Sequence, residues 1–105
     1  MTDRLDIDPE TMAQAVLYWT GYGASAYPLR QDAAITEAYP PAEAVRLTTF
    51  IHGLEEEFYR SDAHATASSL SGMGAAASTR FRRVYPDLPE IIADALAWCY
   101  TFDYK

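Results

Sequence analysis

The chain has 105 residues, enough for one hydrophobic core and one domain spanning 1–105, and its 15 acidic against 8 basic residues give a formal net charge of −7. That charge repels a phosphate backbone and sets general nucleic-acid binding aside. Eight tyrosines and two tryptophans stand against two histidines and one cysteine, so binding-surface residues are plentiful while those behind most acid–base, metal and thiol chemistry are scarce.

No apolar run approaches the roughly 20 residues that cross a bilayer, so no membrane association is expected. The amino terminus shows no basic start followed by an apolar stretch, and lone Cys99 has no partner for an internal disulfide; both fit a cytoplasmic location. Seven arginines to a single lysine, with abundant alanine, suggest a GC-rich bacterial genome.

The first helix signal is Asp8-Pro9-Glu10-Thr11: Asp8 caps free amides, Pro9 fits the first helical position and Glu10 suits the positive end of the dipole. Ile7 and Met12 have the offset of a hydrophobic staple. Met12, Ala15, Val16 and Trp19 then recur at helical spacing, Gly21 and Gly23 weaken the end, and Tyr27-Pro28 leaves helical geometry. A short helix is expected from Arg30 or Gln31 to Ala38, stopped at Tyr39-Pro40-Pro41.

From Ala42 to about Arg60, the stripe Leu47, Phe50, Ile51, Leu54 and Phe58 predicts the best amphipathic helix of the chain, with Ser61 or Asp62 capping a further helix after a sharp change of direction. Residues 63–79 are rich in alanine, serine and glycine, and a helix broken or frayed near Gly72 is preferred there to a mobile loop. Arg80 to Tyr85 suggests a further helical turn stopped by Pro86. Asp87 and Glu90 carry the offset of a capping box, and Leu88 to about Phe102 reads as a terminal helix. With no alternating strand pattern and no repeat, the expected fold is all-α: a single-domain antiparallel bundle of four or five helices.

Tests for chemistry return little. His52 and Glu56 share a helical face, with His64 beyond, but no recognised metal spacing is present, and no metal or cofactor is expected. Ser68 to Gly74 lacks both the glycines of a nucleophile elbow and the lysine of a phosphate loop. Cys99 falls on an apolar face as an inert thiol. No catalytic residue is assigned, and the chain reads more readily as a binder than as an enzyme.

The leading expectation is an acidic binding protein that engages a basic protein partner and blocks it, as small immunity proteins or antitoxins do; the comparison rests on size and charge and not on a motif. Tyr39, Glu43, Glu55, Glu56 and Tyr59 are the expected contact residues. The alternative is a small helical enzyme or ligand carrier whose anion pocket combines Trp19, Tyr22, Arg80 and Arg82. Self-association as a homo-oligomer through an exposed aromatic or small-residue face is a third expectation.

Overall fold

A computed structural model describes residues 7–105. Six helical segments follow one another: α1 (Pro9–Thr20), α2 (Asp32–Ala38), α3 (Pro41–Phe58), α4 (Ala63–Thr66, a single turn), α5 (Leu70–Val84) and α6 (Glu90–Tyr104). No strand occurs among the described residues, and the all-α bundle expected from the sequence is the fold.

The start of α1 forms as its sequence dictates. The Asp8 carboxylate accepts the Thr11 backbone N–H at 3.1 Å, and both Ile7 and Met12 are buried. At the other end Gly21 takes φ 80°, and its N–H donates to the Leu17 carbonyl, a left-handed cap that a side chain would strain. The connection to α2 then folds back on α1, with the N–H groups of Leu29 and Gln31 donating to the carbonyls of Thr20 and Trp19.

Two antiparallel hairpins organise the rest. Between α2 and α3 the turn is only Tyr39-Pro40, which brings Asp32 beside His52. Between α5 and α6 the contact of Arg82 with Glu90 at one end, and the approach of Gly74 to Thr101 further along, fix the antiparallel register. Helix α6 packs on α1, α3 and α5, so its inner face is central to the molecule. Tyr100, Phe58 and Phe81 are fully or almost fully buried there, with ring centroids 5.3 Å (Phe58–Phe81) and 5.5 Å (Phe58–Tyr100) apart.

Two boundaries differ from the sequence reading. The break expected near Gly72 falls at 67–69 instead, and α5 runs unbroken through Gly72, Gly74 and Arg80 to Val84. Ser69 explains this: its hydroxyl accepts the Gly72 N–H at 3.0 Å, so Gly72 lies in the first turn of a capped helix. The expected Asp87/Glu90 capping box does not form. Pro89 is the cap residue of α6, with no side-chain cap bond, and Glu90 turns to Arg82 at 2.7 Å.

No helix among the described residues is long and apolar enough to cross a membrane.

Candidate functional site

Four groups of polar and aromatic side chains stand out. The densest gathers at Arg30, which leaves the α1–α2 connection with φ 51°, a left-handed conformation unusual for a residue with a side chain. Its guanidinium forms a forked pair with Asp103 of α6 at 2.6 and 2.9 Å, lies 3.8 Å from Glu55 of α3, and donates to the Tyr59 hydroxyl at 3.2 Å.

Tyr59 in turn donates to Asp103 at 2.5 Å. Arg30 holds the Asp103 carboxyl below its ordinary value, with a smaller contribution from Tyr59. Burial, followed by the bond to Asp103, pushes the Tyr59 phenol up, so it stays a donor. Burial also raises the Glu55 carboxyl, against the pull of Arg30. The cluster clamps the α1–α2 connection to α3 and α6. Its members satisfy one another, so it holds the fold more readily than it offers a reactive group.

A second group lies between α1, α2 and α3. The buried Trp19 indole N–H and the exposed His52 Nε2 both donate to Asp32 Oδ1 at 2.8 Å, and together, Trp19 first, they lower the Asp32 carboxyl. In a third group, on the α4 side, Tyr100 gives its one hydroxyl proton to the Ser61 carbonyl at 2.9 Å. The His64 Nδ1, 2.9 Å from the same oxygen, is therefore the donor of that contact, and the ring stacks on Tyr104 at 4.3 Å between centroids.

Neither histidine belongs to a metal-competent group among the described residues. Burial pushes the Cys99 thiol up to about 12, which leaves it protonated and inert.

The fourth group is a tyrosine pair. Tyr18 of α1 is exposed and Tyr39, at the end of α2, is half-buried, with ring centroids 6.2 Å apart. Glu43 in the first turn of α3 is near enough to raise the Tyr39 phenol, after burial and Tyr18. Glu37, Glu43 and Glu56 are exposed and make no ion pair among the described residues.

The five residues expected at a partner surface thus divide. Tyr39 and Glu43 sit at the start of α3 beside Tyr18, whereas Glu55 and Tyr59 are engaged by Arg30 and Asp103 at its end. Twelve residues of helix separate Glu43 from Glu55, about 18 Å. Glu56 follows Glu55 directly, so it lies at the same end of α3, where it is exposed. Sequence reasoning missed Arg30 and Asp103 as neighbours of these residues, because long-range pairing across three elements has no local signal.

The four residues of the ligand-pocket alternative divide as well. Tyr22 and Arg82 line one open groove of about 600 Å³ between α5 and α6, with Trp98, Asp94, Phe102 and Lys105. Trp19 is committed to Asp32, and Arg80 donates to the Glu57 carbonyl and carboxylate at 2.9 and 2.8 Å.

No protein-family model matches this chain, and neither a curated protein nor a solved structure shows detectable similarity to it.

Proposed function

We propose that this protein is a non-catalytic, acidic protein-binding domain that docks on a basic partner and blocks it, as an immunity protein or antitoxin does, in a reducing cytoplasm. The observation that carries this reading is the asymmetry of charge pairing. Arg30, Arg60, Arg80 and Arg82 are each paired with a carboxylate of the same chain, while Glu37 and Glu43, near in sequence to Tyr39 of the Tyr18–Tyr39 pair, and Glu56 at the far end of α3 are left to solvent. Internal pairing leaves the net charge at −7 but confines the excess negative charge to the carboxylates that no arginine holds, which are the ones a partner meets.

In such a surface the two kinds of residue do different work. Carboxylates raise the association rate of a cationic partner, and tyrosine rings supply contact area and cation–π attraction once it has docked. The ligand-carrier alternative is weakened by the same pairing, because Arg80 and Arg82 already face Glu57 and Glu90.

The test is affinity capture at low salt followed by kinetics on the captured protein. Glu43→Lys with Glu56→Lys is expected to lower the association rate several-fold and flatten its salt dependence, whereas Tyr39→Ala accelerates dissociation. A tight partner whose association ignores both salt and charge reversal defeats the reading.

A further inference from the structure

The α5–α6 groove is an open recess of about 600 Å³, and nothing in the reading above uses it. Its floor is made of small residues: Gly74, Ser78 and Ala97 leave a shallow valley, because at Gly74 the two helices approach so closely that a Cβ there would lie 3.0 Å from Thr101 Cγ2. Its walls carry Tyr22, Trp98 and Phe102, and Leu70 at one end is 47% exposed. Rings beside a small-residue valley suit a helix laid across it.

The charges in the groove are more specific. Asp94 and Lys105 make no ion pair among the described residues, and the Lys105 ammonium rests 4.5 Å over the Phe102 ring. The groove-lining residues of α6 are Asp94, Ala97, Trp98, Thr101 and Phe102, followed by Lys105 just past its end. These positions are symmetric about the point midway between Cys99 and Tyr100. Asp94 lies as far before that point as Lys105 lies after it, and the same holds for Ala97 with Phe102 and for Trp98 with Thr101.

We propose that the α5–α6 groove is an interface between two copies of this chain, related by a two-fold axis with their α6 segments antiparallel. In that arrangement Asp94 of each copy faces Lys105 of the other, twice over, and each large ring faces a smaller residue. A two-fold interface requires such self-complementarity of one patch, and the spacing of α6 supplies it in charge and in size. The two ion pairs stand about 17 Å apart along α6 and frame an apolar centre. None of Tyr39, Glu43 and Glu56 lines this groove, so the inference stands apart from the acidic-surface reading.

Sedimentation equilibrium of the full chain at moderate salt, from micromolar to sub-millimolar concentration, tests it. The wild-type chain is expected to dimerise. Asp94→Lys or Lys105→Asp turns two attractions into two repulsions and weakens the dimer roughly tenfold, and combining them restores it to within about threefold. Ala75→Glu, at an exposed position of α5 on the groove, abolishes the dimer without loss of helicity by circular dichroism. A chain that stays monomeric throughout, or a dimer indifferent to these changes, overturns the proposal. So does a dimer that both reversals weaken and their combination fails to restore.

Discussion

Asp103 and Glu55 both approach the Arg30 guanidinium, yet the fold treats their charges in opposite ways. Asp103 accepts from both terminal nitrogens of Arg30 and from Tyr59, so folding favours its ionised form and lowers its pKa. Its contribution is present above the unfolded value of about 3.9 and is lost as the pH falls through the lower folded value. Asp103→Asn is therefore expected to cost about 1 kcal/mol at neutral pH and to flatten the acid limb of stability, measured by urea denaturation across a pH series. Glu55 has the reverse sign: burial raises its carboxyl, so its contribution is present below the unfolded value of about 4.3 and is lost as the pH rises through the folded one. Glu55→Gln is expected to stabilise the protein by about 0.5 kcal/mol at neutral pH and to add nothing near pH 3. A loss of stability in that variant at neutral pH would show that the 3.8 Å contact with Arg30 outweighs desolvation.

The two mid-helix glycines separate propensity from packing at the scale of the element. Gly53 of α3 has no heavy atom within 4 Å of where a Cβ would stand, so alanine gains helix propensity at no steric cost. Gly53→Ala is expected to stabilise by about 0.5–1 kcal/mol in thermal or urea unfolding. Gly74 of α5 is different, because its Cβ would meet Thr101, a stiff β-branched residue whose hydroxyl is bonded to the Trp98 carbonyl. Gly74→Ala is expected to destabilise by about 1 kcal/mol, the steric term exceeding the propensity gain. The same contrast explains what could be read in advance. Helices α1 and α3 were legible because cap and apolar stripe agree, at Asp8 with Met12 to Trp19 and along Leu47 to Phe58. The start of α5 was not, since Ala63 to Thr79 offers two glycines against helix and the serine cap that decides the matter is one of three serines in four residues. For α6, the Asp87/Glu90 offset promised a cap, but Arg82 across the hairpin is a stronger partner for Glu90 than a backbone amide.

At the scale of the whole molecule, the sequence carries the size of the charge imbalance but not its distribution. Nothing local says that Glu55 and Tyr59 turn to Arg30 and Asp103 while Tyr39 pairs with Tyr18, because these pairings depend on how α1, α3 and α6 are assembled. The consequence for the molecule is a set of short ion pairs, the Arg30–Asp103 pair partly shielded, beside carboxylates left unpaired among the described residues. Raising sodium chloride from about 20 mM to about 500 mM shortens the screening length from roughly 20 Å to roughly 4 Å. That removes repulsion between distant carboxylates, while a forked contact such as Arg30 with Asp103, at 2.6 and 2.9 Å, is little affected. Differential scanning calorimetry at fixed protein concentration is therefore expected to show Tm rising with salt, by about 5 °C for about 1 kcal/mol. Reversing Glu37, Glu43 and Glu56 to lysine changes the charge by two at each position, taking −7 to −1, and should abolish most of that rise. A Tm that instead falls with salt means that internal attraction outweighs the acidic field, and with it the electrostatic steering on which docking to a basic partner depends.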